Sequence, residues 1–167
     1  MTNQNNANEN ITARDIMIPF EKLVTLSPEM DALGALRKLL KRRISGAPVI
    51  GEDRRFLGVF SEKTSMQFLL TISYEKLPSS EVRAFMNTDR DRTISESVDL
   101  LSIMDMFLRT PYRRLPVLAG DKLVGQISRR DALTAATKAL DSPKVAGSRQ
   151  LLYVSAFAQR VDPNARF

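Results

Sequence analysis

The chain has 167 residues, 43% hydrophobic and 26% charged, which is the profile of one soluble globular domain of ordinary size. It carries neither cysteine nor histidine, so thiolate and imidazole nucleophiles, Cys/His zinc sites and Ser-His or Cys-His catalysis are all excluded. A formal net charge of +6 attracts anions, and no run of ~18 apolar residues is present to insert into a membrane.

Met1 to Asn10 is rich in Asn without apolar periodicity and reads as a disordered tail (1–10). Thr12-Ala13-Arg14-Asp15 has the Ser/Thr-x-x-acid pattern of a capped helix start, stopped before Pro19. Val24 to Leu26 is a short extended piece. Ser27-Pro28 then predicts an N-cap and first-turn proline for a helix to about Lys41, whose apolar positions 30, 33, 36, 39 and 40 have helical spacing. Ala47 to Ile50 and Phe56 to Phe60 predict a hairpin around Gly51 to Arg55, followed by a helix from Glu62 to Tyr74. A helical piece at Glu81 to Met86 and an extended Thr93-Ile94 come next. A helix from Glu96 to Arg109, strands at Leu115 to Leu118 and Leu123 to Ile127, and a helix from Arg129 to Leu140 complete the order. Beyond it, 141–167 predicts a linker and a helix over Gln150 to Val161, which either covers a dimer surface or frays.

The second half therefore restates the first, at an offset of about 68 positions. Met30, Leu33, Leu36, Leu39 and Leu40 fall on Val98, Leu101, Met104, Phe107 and Leu108. Ile44 to Ile50 falls on Tyr112 to Leu118 and, after a one-residue deletion, Leu57 to Ser61 falls on Val124 to Ser128. Each half alone is at the lower margin of what a core can stabilise, so the halves are expected to pack as one body. The predicted class is α+β, with two pseudo-symmetric β-α-β-β-α repeats over 11–76 and 77–140.

Ile44-Ser45-Gly46-Ala47-Pro48-Val49-Ile50 with Leu57-Gly58-Val59-Phe60-Ser61, and Tyr112-Arg113-Arg114-Leu115-Pro116-Val117-Leu118 with Leu123 to Asp131, resemble the paired motifs of a tandem CBS domain, or Bateman module. The resemblance runs from Ile11 to Leu140. It implies a CBS domain pair of the stand-alone type, non-catalytic, which senses AMP, ADP, ATP or S-adenosylmethionine in clefts between the repeats. It further implies a homodimer formed through the helices and an unidentified regulated protein acted on in trans. The rival reading is a structural dimerisation module whose clefts hold no nucleotide. Cytoplasmic location is the default for a chain without cysteine.

The resemblance points to Asp131 and Ser128 for the ribose hydroxyls, since one carboxylate accepts from both. Ser128-Arg129-Arg130-Asp131 fits a helix capping box just as well, and both readings stand. Arg113 and Arg114 are the residues for phosphate, by geometry and charge, or else a solvated edge. Tyr112 flanks the adenine or belongs to the partial core. Thr25 and Leu26 are to meet the ligand from the opposite repeat. The first half has Thr64 where the second has Asp131, and Ser45-Gly46 where it has the arginine pair, so its cleft is expected to bind weakly or not at all. No metal ligands are expected. The basic doublets Arg42-Arg43, Arg54-Arg55, Arg113-Arg114 and Arg129-Arg130 come without a helix-turn-helix pattern or an aromatic RNA-binding strand, which disfavours nucleic acid.

Overall fold

The computed structural model describes residues 11–74 and 80–141. The expected N-terminal tail and the helix over Gln150 to Val161 lie outside the described residues. The first half comprises α1 (Ala13–Ile16), β1 (Ile18–Pro19), α2 (Ala32–Arg42), β2 (Gly46–Ile50), β3 (Phe56–Ser61) and α3 (Glu62–Tyr74). The second comprises β4 (Ile94–Ser95), α4 (Leu100–Arg109), β5 (Arg114–Ala119), β6 (Lys122–Ser128) and α5 (Arg129–Leu140). The class is α+β, as expected.

Helices α3 and α5 begin where the sequence predicts, because each leaves its strand directly through a Ser-x-x-Thr or Ser-x-x-Asp cap, and α5 ends at Leu140 as predicted. Helices α2 and α4 start later than expected. Ser27 is not the cap of α2: its hydroxyl hydrogen-bonds Glu29, and Asp31 caps the helix by accepting from Gly34 N at 2.8 Å. Asp99 does the same for α4, accepting from Ser102 N at 3.0 Å and Ser102 Oγ at 2.7 Å. A carboxylate at a helix N-terminus adds charge stabilisation to the hydrogen bond, which a serine lacks. The helical piece expected at Glu81 to Met86 is a 3-10 turn over Val82–Ala84, with Ala84 standing where α1 has its capping Asp15.

The strands form two hairpins of matching design. Strands β5 and β6 pair antiparallel, β4 lies parallel beside β5, and β1 lies antiparallel beside β6, in the order β1-β6-β5-β4. Strands β2 and β3 repeat the scheme, with Leu26 bridging Val49 in parallel and Asn87 bridging Val59 in antiparallel. The antiparallel neighbour of each hairpin thus comes from the other half. Ile18 and Pro19 sit opposite Gln126 and Gly125 of the second half, while Asn87 exchanges both hydrogen bonds with Val59 of the first, at 2.8 and 2.9 Å.

The exchange continues into the helix starts. Leu100 N donates to Ile11 O and Ala13 N to Val98 O, and the equivalent pairs Ala32 to Ser80 and Val82 to Met30 close the other half. Ala13 is accordingly buried in the second half's core with Ile94, Ile103, Phe107, Leu115 and Ile127, and Val82 in the first half's core with Leu39, Val49, Phe60 and Phe68. Each repeat lends its leading segment to its neighbour.

A third cluster joins the hairpins: Phe56, Val59, Leu118 and Leu123 are buried against Phe20, Leu23 and Ile50. The crossings leave no room for side chains at two equivalent glycines. A Cβ on Gly58 would lie 2.5 Å from the carbonyl oxygen of Asn87, and one on Gly125 would lie 2.5 Å from Met17 Sδ and 2.9 Å from Ile18 O. The hairpin tips differ. The second turns on Gly120 at φ +62°, whereas the first places Asp53 and Arg54 at +53° and +62°, a left-handed conformation that costs side-chain-bearing residues energy. Arg54 lies over the Phe20 ring at 4.2 Å and 3.4 Å from Glu21, which anchors that tip.

Candidate functional site

Ser128 ends β6 and Asp131 opens α5, so the strand-to-helix step fixes their separation. Asp131 Oδ2 accepts from Ser128 N at 2.8 Å and Ser128 Oγ at 2.7 Å, and Ser128 Oγ accepts from Asp131 N at 3.3 Å. The capping box is therefore real. A carboxylate offers about four lone-pair sites, and the cap takes two, both on Oδ2. Oδ1 has no partner among the described residues. Capping and acceptance from a vicinal diol are compatible at this side chain. Thr12 and Asp15 form the same box at the start of α1, with 2.8 and 2.7 Å hydrogen bonds.

Arg114 is the first residue of β5 and sits directly across from Ser128. Arg113, exposed, lies 4.0 Å from Glu62 at the start of α3, which points it towards the first half. Tyr112 is half-buried; its hydroxyl donates to Asp89 Oδ2 at 2.6 Å, and the Arg92 guanidinium covers its ring at 4.9 Å. Arg92 Nε is buried with no hydrogen-bond partner among the described residues, and burial pulls the guanidinium below its ordinary value against the opposing charges of Tyr112 and Asp89.

Sequence reasoning missed Arg129, which it grouped with the surface doublets. This guanidinium donates to Phe107 O at 3.3 Å and Thr110 O at 3.2 Å, tying the end of α4, and hence the run into Tyr112 to Arg114, to the start of α5. Its position one residue after the Ser128 cap was the available signal.

Thr25 and Leu26 lie on the first half. Leu26 is 2% exposed, its N–H donates to Pro48 O and its carbonyl accepts from Ile50 N, both at 3.0 Å. Thr25 O accepts from Lys38 Nζ at 3.0 Å. Among the described residues no hydrogen bond links either of them to Tyr112, Arg113, Arg114, Ser128 or Asp131. The structure thus gathers Arg114, Ser128 and Asp131 at one strand end, with Tyr112 and Arg113 leading into it.

At the equivalent place in the first half, Thr64 Oγ1 accepts from Ser61 N at 2.8 Å and donates to Ser61 O at 3.0 Å. The hydroxyl completes the cap and supplies no charge. Gly46 stands opposite Ser61, where a Cβ would lie 3.1 Å from Phe60 O and Ser61 Cβ, so this position has little room for a counterpart of Arg114.

Several carboxyls outside this strand end are held below their ordinary values. Hydrogen bonds from Thr12 lower Asp15, Ser27 lowers Glu29, and Tyr112 followed by the Asp91 N–H lowers Asp89. Burial raises Asp99, but the Ser102 hydrogen bonds outweigh it and the net direction is down. A lowered folded-state value gives stability that is complete above the unfolded carboxyl range near pH 4 and lost as pH falls through the folded values. Urea midpoints are therefore expected to change little through these groups between pH 7 and 5 and to drop below about pH 4, with proton uptake on unfolding. A midpoint unchanged at pH 3 would contradict this.

No helix among the described residues is long and apolar enough to cross a membrane, and no cluster of acidic side chains there suits a metal ion. A family model for the CBS domain matches residues 13–64 and 82–138. The chain is 26% identical over 122 residues to an uncharacterised protein of Methanocaldococcus jannaschii, covering 73% of this chain and 41% of that one. It is 29% identical over 167 residues to the chloroplastic CBS domain-containing protein CBSX1 of Arabidopsis thaliana, covering 81% and 69%. The crystal structure of CBSX2 of the same plant in complex with AMP superposes with a TM-score of 0.68 at 26% identity, covering 77% of this chain and 97% of that one.

Proposed function

The chain belongs to the CBS domain family, and on that premise we propose that it is a non-catalytic regulatory module that senses an adenosine-containing ligand and acts on a separate protein. The observation that carries the reading is the Oδ1 of Asp131, without a partner among the described residues, beside Ser128, which stands opposite Arg114. Asp131 and Ser128 hold the ribose hydroxyls, Arg113 and Arg114 the phosphate, and Tyr112 the edge of the adenine. Thr25 borders the ligand from the first half, and Leu26, its backbone already spent on β2, serves by fixing Thr25. Thr64 leaves the other cleft without a charged acceptor, so one site operates per chain. Signalling requires that the ligand bind two arrangements of the halves unequally. AMP, ADP, ATP and S-adenosylmethionine are the candidate ligands, AMP first, because CBSX2 is seen with it.

Thermal unfolding with these four ligands and a GTP control tests the reading. A ligand at about 100 times its Kd stabilises by about 2.7 kcal/mol, or about 5–10 °C at this chain length. The shift is expected to be adenosine-selective and lost in Asp131→Ala. No shift with any ligand would favour the dimerisation module instead, a reading supported by the identical box at Asp15, where the carboxylate caps α1.

The helices support a homodimer. Leu40 and Met66 in the first half, and their equivalents Leu108 and Leu133 in the second, are each 60% exposed or more, and Leu70 and Tyr74 extend the apolar surface on α3. Sedimentation is expected to give a dimer at micromolar concentration and a monomer for the pair Leu70→Glu, Leu133→Glu. A monomeric parent protein would overturn it.

A further inference from the structure

The two hairpins meet tip to tip. Arg55, just before β3, and Lys122, the first residue of β6, are bridge partners on antiparallel strands, and Phe56 N donates to Asp121 O at 2.9 Å beside them. Arg55 and Lys122 are also equivalents in the repeat, so the local two-fold passes between two cations. Like charges directly opposite each other on paired strands repel. Neither side chain has an ion pair or hydrogen bond among the described residues. Two of the nearby acids are engaged elsewhere: Glu29 binds Arg83 at 3.1 Å and Asp121 binds Arg90 at 2.7 Å.

A cleft of about 710 Å³ opens at this junction, lined by Arg55, Lys122, Glu52, Asp53 and Arg83 among others. That volume lies within the range of small-molecule sites. The first hairpin tip is one residue longer than the second, and the additional length carries Glu52 and Asp53 to the wall of the cleft. Their carboxylates likewise have no partner among the described residues. Two cations and two carboxylates, none with a partner among the described residues, thus line one opening.

We propose that this cleft binds a small phosphorylated polyol, its phosphate between Arg55 and Lys122 and its hydroxyls donating to Glu52 and Asp53. A phosphate converts the repulsion of the cation pair into a bridge, with the guanidinium suited to paired oxygens. Carboxylates accept from sugar hydroxyls with charge-assisted strength. The site is separate from Asp131 and spans both halves, so a bound ligand would staple the hairpin tips together.

Ribose 5-phosphate is the probe, titrated by calorimetry at constant ionic strength beside inorganic phosphate and ribose. Ribose 5-phosphate is expected to bind more tightly than phosphate, and ribose not to bind. Arg55→Gln and Lys122→Gln should each weaken binding at least 10-fold, and each should raise the ligand-free Tm by relieving the repulsion. Asp131→Ala should bind as the parent protein does, whether or not the Asp131 cleft takes a nucleotide. Unchanged affinity in both glutamine variants, loss of binding in Asp131→Ala, or no binding by the parent protein would each overturn the proposal. Equal affinity for phosphate and ribose 5-phosphate would overturn the role of Glu52 and Asp53.

Discussion

Gly58→Ala is expected to destabilise the fold by about 1–3 kcal/mol, the usual cost of overpacking, although the substitution adds only a methyl group to an interior strand. The added Cβ would meet the Asn87 carbonyl oxygen at 2.5 Å, and that oxygen is held by its hydrogen bond from Val59 N. Backbone cannot rotate away as a side chain does, so the crossing strand must move and lose its pairing. Gly125→Ala meets the flexible Met17 side chain as well as Ile18 O, and should cost less. Denaturant midpoints of the two variants check both the size and the order. A Gly58→Ala protein within about 0.5 kcal/mol of the parent would mean that the crossing strand does not clamp β3, for surface changes commonly fall within that range.

Phe56→Ala is expected to cost more, about 3–5 kcal/mol, as for other buried phenylalanines. Phe56 is 1% exposed, and it lies in the cluster shared by the hairpins rather than in the core of either half. Removing it should therefore lower the stability and also uncouple the halves, so that chemical unfolding shows a reduced m-value or two steps. A loss below about 1 kcal/mol with an unchanged m-value would show that the exchanged segments alone hold the halves together.

The internal repeat was readable because apolar spacing survives at one offset, and the starts of α3 and α5 followed from caps that adjoin their strands. The starts of α2 and α4 were misread because Ser27-Pro28 looks like a cap and first turn, while the operative caps, Asp31 and Asp99, sit inside the apparent helical stripe. The strand exchange left no local trace. β1 is two residues long, and its partner lies more than 100 positions away, so hydrophobic periodicity has nothing to register. At the strand end by Ser128, the Ser-x-x-Asp spacing was legible. Which oxygen of Asp131 the cap consumes, and the engagement of Arg129 with the end of α4, depend on rotamers and on segments distant in sequence.

The exchange of leading segments also orders events at the ribosome. The partner positions of Ile18 and Pro19, Gln126 and Gly125, are made more than 100 residues after them. At about 5–20 residues per second that is a wait of about 5–20 s. The first half needs only the segment around Ser80 to Asn87 to close its own core, and this follows Tyr74 almost at once. Vectorial synthesis therefore completes the first half while its own leading segment is still unclaimed, and that segment is among the last to find its place.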